Sequence, residues 1–492
     1  MRLWIAVHLP LLPLEVFYPN WSDDTDAVVL EHTRVMAASQ PACDAGVRYG
    51  MRRGGVLALL PHAHMHERAI EREAQALSGA ATALLQYTPQ AAFSDDATIV
   101  LDIGASLRLF GGIRALCRRV RGTVRQLGLT AAVSCAPTAA GAALLARHCH
   151  LRGHHHPRTL STPRLQRRLD RLPVSALPAA LPYLDWLKGI GCRNLADLRR
   201  LPRPGLQRRG DTRMLDALDC AYGEAMELHA WIETPPSFRQ RIELTERIEH
   251  AEAAQHTVQA LLAQLCGWLT ARQLAVTQVC VQLEHERGRQ AVAPTVIELA
   301  LAEPTWQDAH LIRLLKERLA QLEISAPVIA VVLEAARTEA MAPASESLFP
   351  EPGGTPEDYK RLLELLVARL GAEHVLQPSP LADYRPEQAN RWVSVMEPAA
   401  PLDARPLPPR PGWLLEKPVA LVMRQHRPYY GSRLHPVSPP ERIEAGWWNG
   451  LLVTRDYYIA AGADHCHYWI YRERIGDVDG VEPHWYLHGV FG

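Results

Sequence analysis

The stretch Ser94–Gly112, which reads SDDATIVLDIGASLRLFGG, decides the fold of this chain. Its β-branched and apolar run from Thr98 to Ile103 predicts a buried strand, because such side chains fit a covered, pleated surface. The residues Gly104 to Ser106 predict a turn, and Gly111-Gly112 predicts a second break. A basic amphipathic helix is expected next, over Ile113–Leu127, with arginines that either face solvent or contact phosphate groups.

This stretch resembles the palm hairpin of the Y-family (translesion) DNA polymerases, whose core reads Ser-Ile-Asp-Glu-Ala-x-Leu-Asp before a turn and Arg-Leu-Phe-Gly. Alignment on Leu101-Asp102 places the family's metal-binding Asp-Glu pair on Ala97 and Thr98. His8 stands where the family's first strand ends in the Asp that grips both Mg²⁺ ions. Because Mg²⁺ prefers hard oxygen ligands, the resemblance implies a palm that has lost its metal-binding carboxylates.

Two further segments resemble the parts of these polymerases that hold the incoming triphosphate. Ala42–Met51 resembles the fingers, and the family's phosphate-binding Tyr and Arg fall on Gln40 and Cys43. Ala131–Arg147 resembles the strand and helix that carry the triphosphate-binding lysine, which falls at about Ala139. A cysteine offers no fork of donors for phosphate oxygens, so the resemblance implies lost triphosphate contacts as well.

The region 171–234 resembles the thumb. Leu184–Gly191 and Leu195–Leu198 have the pattern of a helix-hairpin-helix, in which backbone N–H groups at a helix N-terminus can bind phosphate. Basic residues cluster around and after the glycine turn. The predicted DNA contacts here are Lys188, Gly189, Gly191, Arg199, Arg200, Arg203, Arg208 and Arg209.

After Pro235-Pro236 the pattern is strand, helix, strand, strand, helix, strand over 239–335. This β-α-β-β-α-β order predicts a split βαβ domain and matches the little-finger domain of the same polymerases. Arg239 and Arg241 on its first strand are candidate contacts to the DNA backbone.

A segment rich in Pro, Ala, Ser and Glu, Thr338–Thr355, predicts a flexible tether. Within it, Ser345-Glu346-Ser347-Leu348-Phe349 resembles the family's clamp-binding pentapeptide, which is led by Gln and ends in Leu-Phe. The predicted clamp contacts are Ser345, Ser347, Leu348 and Phe349. A rival match, Ser106–Phe110, lies in the palm hairpin, where we expect Leu107 and Phe110 to be core residues.

The tail of the chain is dense in aromatic residues and follows a helix at Tyr359–Leu370 and a proline-rich linker at Pro398–Pro411. Alternation through Tyr468–Arg472 predicts antiparallel strands in a small sheet. Asp464-His465-Cys466-His467 lie too close together on one hairpin to predict a metal site. The sequence predicts no metal and no cofactor.

Together these patterns predict an α+β, multidomain protein. The expected regions are palm and fingers at 1–170, a helical thumb at 171–234, a little finger at 237–337, a linker at 338–358 and a small aromatic-rich C-terminal partner-interaction region at 359–492.

Composition limits the function classes. The 492 residues suffice for about three or four domains. The net charge is +0, so any contact with nucleic acid must come from local basic clusters. The nine cysteines form no C-x-x-C pair, which favours a reducing cytosol over a disulfide framework. No apolar run predicts a signal peptide or membrane span. We expect a cytoplasmic protein.

Four segments resemble the Y-family-like proteins of the bacterial DNA-damage mutagenesis cassette. They are ERIEAGWW (441–448), RDYYIAAG (455–462), WYLHGVFG (485–492) and LFPEPGGTPEDYKRLLELLVARLG (348–371). That resemblance implies a non-catalytic hub that binds DNA and joins the β sliding clamp, a RecA-like partner (ImuA) and an error-prone C-family polymerase. The alternative is an active translesion polymerase that uses displaced carboxylates: Glu15, Asp95, Asp96 and Asp102. Nucleotidyl transfer needs two Mg²⁺ ions about 4 Å apart, bridged by carboxylates, which favours the hub.

Overall fold

The computed structural model describes residues 2–22, 25–94, 97–150, 157–209, 211–286, 292–341, 356–398, 408–474 and 484–491. The chain divides into two compact units, Met1–Arg369 and Leu370–Gly492. The larger unit combines helices with sheets, whereas the described part of the smaller unit consists of antiparallel strands and one short 3₁₀ turn, so the predicted α+β, multidomain class of the whole chain is confirmed. Among the described residues, no helix is long and apolar enough to cross a membrane.

The first part of the larger unit carries a four-stranded antiparallel sheet in the order β5-β6-β1-β7. Side chains alternate across it, so Trp4 and Ala6 face the helix α6, whereas Ile5 and Val7 face the helices α4 and α5. The predicted strand, turn and helix after Ser94 are therefore present. The elements are β1 (Trp4–His8), α1 (Leu12–Glu15), β2 (Ala27–Glu31), β3 (Arg34–Ala38), α2 (Gln40–Asp44), α3 (Arg53–Leu59), β4 (His64–Glu67), α4 (Ile70–Leu84), β5 (Ala91–Phe93), β6 (Thr98–Asp102), α5 (Ile113–Gln126), β7 (Ala132–Ala136) and α6 (Ala139–His150).

A small sheet in the order β3-β2-β4 forms the fingers-like part with α2 and α3. The apolar spacing of His64–Gln86 predicts a helix over the whole segment, but this is wrong at its start, because His64–Glu67 pairs in parallel with Ala27–Leu30. Met65 packs on the small apolar core of this part, and the helix begins only at Ile70.

The thumb-like region consists of short helices that share one core with α6. A hydrogen bond from the Thr138 hydroxyl to the Ala221 carbonyl, at 2.9 Å, joins the two parts. The elements are α7 (Thr162–Leu169), 3₁₀ turns at Val174–Ala176 and Pro178–Tyr183, α8 (Leu184–Gly189), α9 (Leu195–Arg200), α10 (Arg203–Arg209) and α11 (Thr212–Tyr222).

The next sheet has the order β10-β9-β11-β8 with every neighbouring pair antiparallel. Each βαβ unit has a strand of the other unit between its two strands, so the predicted split βαβ arrangement is confirmed. The elements are β8 (Arg239–Ile248), a 3₁₀ turn at Ala251–Ala254, α12 (Gln255–Arg272), β9 (Leu274–His285), β10 (Thr295–Thr305), α13 (Asp308–Gln321), β11 (Val328–Ala340) and α14 (Pro356–Leu370).

Two features at the end of this sheet differ from the sequence expectations. The tether does not begin at Thr338, because Thr338 and Ala340 still pair with Val276 and Leu274 in the sheet. The helix α14 was expected to belong to the C-terminal region, but it packs on the split βαβ domain. The Glu364 carboxylate accepts a hydrogen bond from the Ala302 N–H at 2.6 Å.

The smaller unit is built on an antiparallel sheet in the order β14-β22-β21-β20-β18, with β19 also paired to β20. The antiparallel strands predicted through Tyr468–Arg472 are confirmed. Tyr457, Trp469 and Tyr471 fill its core, and the Tyr457 hydroxyl lies 2.8 Å from Nδ1 of His488. The elements are β12 (Leu376–Pro380), β13 (Asn390–Ser394), β14 (Trp413–Ala420), β15 (Val422–Arg424), β16 (Arg427–Tyr430), β17 (Ser432–Arg433), β18 (His435–Pro436), β19 (Glu441–Ala445), β20 (Val453–Ala461), β21 (His467–Glu473) and β22 (Trp485–Phe491).

Candidate functional site

The palm site, which we define as His8, Ala97 and Thr98, lies at one end of the first sheet. The strands β1 and β6 are antiparallel, with His8 directly opposite Thr98. Nδ1 of His8 and the Thr98 hydroxyl are 3.0 Å apart, and the Ala97 carbonyl accepts a hydrogen bond from the Leu9 N–H at 2.8 Å. The structure thus brings together the three positions that match the family's metal-binding carboxylates. They present an imidazole, a methyl group and a fully buried threonine.

The displaced carboxylates do not gather at the palm site. Glu15 is buried, and its carboxylate accepts the Thr130 N–H at 2.8 Å. Burial raises the pKa of Glu15, and the hydrogen bond from Thr130 partly opposes that rise. Asp102 lies at the other end of β6, opposite Trp4, about 13 Å from Thr98 along the strand. Its carboxylate accepts the Gly104 N–H at 3.0 Å.

The remaining two candidates, Asp95 and Asp96, lie outside the described residues. Within the described part of the chain, no group of three or more His, Cys, Asp or Glu side chains could hold a metal ion. Asp464-His465-Cys466-His467 therefore form no such group either. The Asp464 carboxylate instead accepts hydrogen bonds from the Tyr468 hydroxyl at 2.5 Å and the Cys466 N–H at 3.1 Å.

The positions matched to the triphosphate contacts are split between two places. Gln40 and Cys43 lie on α2 of the fingers-like part, where the Gln40 amide donates to Asp44 at 2.8 Å and the Cys43 carbonyl accepts from Arg48 at 2.6 Å. Ala139, the first residue of α6, is buried and follows a strand whose end, Ala136, lies opposite Trp4. The structure therefore does not bring Ala139 to the palm site.

A carboxylate that the sequence reasoning missed lies at the start of α6. The Glu227 side chain accepts the Ala140 N–H at 3.1 and 3.2 Å, next to the Ala139 position. Burial raises the pKa of Glu227 to about 7, against the effect of the backbone hydrogen bonds. Two and four residues further on, the His229 ring packs tilted against Trp4 with centroids 4.6 Å apart, and the Trp231 ring stacks on Trp4 with centroids 6.1 Å apart. Their alternation in the sequence was the available signal, because an extended segment places every second side chain on one face.

The helix-hairpin-helix is present, with Gly191 in the left-handed conformation at φ +81° between α8 and α9. Lys188 and Gly189 are exposed at the end of α8. The phosphate seat expected at the N-terminus of α9 stays a prediction, and two of the N–H groups there are bonded to this chain's own side chains. Asn194 accepts from the Asp197 N–H at 2.8 Å, and Asp197 accepts from the Asn194 N–H at 3.3 Å.

The five predicted thumb arginines fall into two groups. Arg199 pairs with Glu224 and lies 4.5 Å from the Tyr222 ring, and Arg203 donates to Asp219 at 2.8 Å. The unpaired thumb arginines are exposed and make no ion pair with any residue that the structure describes: Arg200, Arg208 and Arg209.

Arg239 and Arg241 lie on β8, which is an edge strand of its sheet. Both are exposed and both face acids: Arg239 is 3.5 Å from Glu334, and Arg241 donates to Glu284 at 3.0 Å. Neither therefore offers an unopposed charge to DNA.

Of the two clamp-motif candidates, the structure describes only the rival segment Ser106–Phe110. Ser345, Ser347, Leu348 and Phe349 lie outside the described residues. In the rival segment, Leu107 and Phe110 pack against the palm core as expected, and the Phe110 ring meets Tyr87 edge-on at 5.3 Å. That packing leaves only Leu109 of the rival's apolar residues strongly exposed, at 79%.

Residues 18–147, which span the fingers-like part and most of the palm, match the impB/mucB/samB family. This match and the palm site make the chain similar to one class of proteins, the Y-family polymerase-like proteins. Within that class it is similar to Protein ImuB of Caulobacter vibrioides, which in two strains is 26% identical over 469 residues, or 91% of this chain and 100% of that protein. The resemblance to ImuB is thereby confirmed.

Matches among solved structures include DinB from Sulfolobus solfataricus, at 15% identity and a TM-score of 0.38. A Y-family DNA polymerase chimera of Dbh and Dpo4 matches at 16% identity and a TM-score of 0.36. Each match covers 68% of this chain and 98% of the solved chain.

Proposed function

We propose that this chain is a catalytically inactive, Y-family polymerase-like adaptor in translesion synthesis and damage-induced (SOS) mutagenesis. The observation that carries the proposal is the contact between His8 and Thr98 at 3.0 Å. Two-metal catalysis requires carboxylates that bridge both ions, and losing even one electrostatic contributor commonly costs several kcal/mol of transition-state stabilisation. A histidine and a threonine bonded to each other at the metal positions supply no such bridge.

The alternative, an active polymerase with displaced carboxylates, fits the structure less well. Glu15 would have to give up its bond to the Thr130 N–H, and Asp102 would have to reach the palm site from the far end of β6. The first move breaks a hydrogen bond of a buried carboxylate and the second breaks the pairing of a packed sheet, so both favour the adaptor.

DNA binding would come from the thumb-like region, to primed or single-stranded DNA with little sequence preference. The unpaired thumb arginines are exposed and face no described carboxylate, so phosphate groups would be their first counterions. Arg199 and Arg203 would have to exchange Glu224 and Asp219 for phosphate, which lowers their contribution.

In the adaptor role, Ser345–Phe349 would bind the β sliding clamp. The C-terminal region would bind ImuA and an error-prone C-family polymerase. Exposed apolar residues on the smaller unit support the second assignment: Trp447 and Leu451 are 67% and 66% exposed in the loop after β19. The buried Arg385 fixes this loop by donating to the Leu451 carbonyl at 3.4 Å. A protein with these partners would work in the cytoplasm, at the nucleoid after DNA damage.

A metal-binding measurement tests the inactive palm. Electron paramagnetic resonance of Mn²⁺ titrated into the full-length protein, with primed DNA and a non-hydrolysable nucleotide, should show no tight palm site. An active Y-family polymerase is the positive control. A stoichiometric Mn²⁺ site that depends on nucleotide would contradict the proposal.

A pull-down tests the adaptor assignment separately. Full-length protein should retain ImuA and the C-family polymerase, and a truncated protein ending at Thr355 should lose both while still binding DNA. Retention of both partners by the truncated protein would place their contacts in the larger unit.

A further inference from the structure

A basic hairpin, which we define as Val422–His435, lies on the smaller unit and comprises β15, β16 and β17. The chain as a whole is neutral, yet no acidic residue occurs between Lys417 and Glu441. Arg424, Arg427 and Arg433 are all exposed, and none is paired with a carboxylate among the described residues. The hairpin is therefore a local basic surface in a protein without a global positive field.

The turn of the basic hairpin is conformationally costly. Arg424 lies directly opposite Arg427, and like charges in that position destabilise a strand pair. The two residues between them, Gln425 and His426, have φ values of +51° and +61°, a left-handed conformation that is uncommon for residues other than glycine, although histidine adopts it more often than glutamine does. Strain of this kind persists at binding sites, where a ligand makes use of the geometry.

Aromatic rings accompany the arginines. The Arg424 guanidinium lies 4.4 Å from the centre of the Tyr429 ring. Tyr430 is 44% exposed, and the edge-on ring of Tyr468 supports it at 5.6 Å. Exposed rings beside unpaired arginines are the features that bind unstacked bases and phosphates together, whereas a duplex offers no free base face.

Asp464 is an acid beside this surface, because the neighbouring Ala463 N–H donates to the Ser432 hydroxyl at 2.9 Å, and its carboxylate is already engaged. Asp464 accepts hydrogen bonds from the Tyr468 hydroxyl and the Cys466 N–H, and these bonds hold the pKa of Asp464 below its usual value. The carboxylate therefore stays charged and bonded within its own loop and supports the Tyr468 ring.

We propose that the basic hairpin binds single-stranded nucleic acid. Arg424, Arg427 and Arg433 would contact successive phosphates, and Tyr430 would stack on a base. This site is separate from the thumb surface, and it does not depend on whether the palm is inactive.

The test uses the full-length protein and a fluorescent oligo-dT in anisotropy titrations at several salt concentrations. Replacing all three arginines of the hairpin with alanine should weaken binding about tenfold or more. The slope of log K against log salt should become shallower by about 2, because each phosphate contact on a single strand contributes about 0.7. A matched control removes three arginines that face described carboxylates, Arg361, Arg410 and Arg474, and should change the affinity less than about twofold.

A second pair of variants separates stacking from charge. Tyr430→Ala should weaken oligo-dT binding about fivefold or more, while Tyr430→Phe, which keeps the ring, should bind as the wild type does. Unchanged affinity and slope in the triple-arginine variant would overturn the proposal. A second result would also overturn it: poly-glutamate displaces oligo-dT, and Tyr430→Ala has no effect on binding. That result would show that the hairpin recognises charge alone and would indicate an acidic protein partner.

Discussion

Gly267 lies where α12 crosses α4, and its replacement by alanine tests how the second sheet domain is held against the palm. A Cβ atom at Gly267 would lie 2.0 Å from the Thr82 carbonyl oxygen and 2.7 Å from the Ala83 Cα. Both are backbone atoms that cannot rotate away. The helices would have to separate by roughly 1 Å to reach tolerable contact distances.

The magnitude follows from two opposing effects. Overpacking of this kind costs about 3 kcal/mol when the neighbours are backbone, at the upper end of the usual range. Alanine regains about 1 kcal/mol of helix propensity over glycine. We therefore expect Gly267→Ala to lose about 2 kcal/mol net.

Gly122, in the interior of α5, is a matched control. A Cβ atom added at Gly122 would have no heavy atom within 4 Å. Gly122→Ala should gain up to about 1 kcal/mol. Scanning fluorimetry of the two variants should show melting temperatures shifted in opposite directions, and limited proteolysis should cut the Gly267 variant faster near Pro235-Pro236. A Gly267→Ala variant that melts at or above the wild type would refute the close crossing.

Three further predictions concern the binding surfaces and the smaller unit. Alanine at the unpaired thumb arginines should lower DNA affinity and make the salt slope shallower by about 2 to 3, whereas Arg203→Ala, which faces Asp219, should change little; equal effects in anisotropy titrations would contradict this. Replacing Leu348 and Phe349 with alanine should abolish clamp binding by surface plasmon resonance and leave DNA binding intact, because these two side chains would anchor the peptide; a retained clamp signal would place the contact elsewhere. Burial lowers the pKa of His488 to about 4, below its value of about 6.5 in an unfolded chain. The unfolded state therefore takes up a proton first, and the stability of the smaller unit should fall as the pH drops from about 6.5 to about 4. His488→Gln should flatten that dependence in urea titrations, and an unchanged slope would rule out His488 as its source.

Where local pattern and tertiary pairing agree, the sequence was sufficient to predict the fold. The branched run Thr98–Asp102 became a central strand, and the alternation over 239–335 placed all four strands and both helices of the split βαβ domain. Where the partner strand decides the secondary structure of a segment, the sequence was not sufficient to predict that structure. His64–Glu67 lies in a segment with helical spacing of apolar residues, but it pairs with the apolar strand β2 and forms an edge strand of that sheet.

The candidate site was predictable to a similar extent. The neighbourhood of His8 and Thr98 follows from the strand alignment, and the structure adds the hydrogen bond between them. The pairing of Arg199 and Arg203 with acids was not predictable, because Glu224 and Asp219 lie on or just after a different helix. Glu227 was missed for the same reason, since its bond to Ala140 joins residues far apart in the chain.

The most direct test of the proposal that the palm is inactive is primer extension by the full-length protein. A primed template, all four deoxynucleotides and either Mg²⁺ or Mn²⁺ should give no template-directed product, while an active Y-family polymerase extends the primer in the same buffer. Extension that persists through a final purification step and disappears in Glu15→Gln or Asp102→Asn would contradict the account, because it would show that displaced carboxylates hold the catalytic metals.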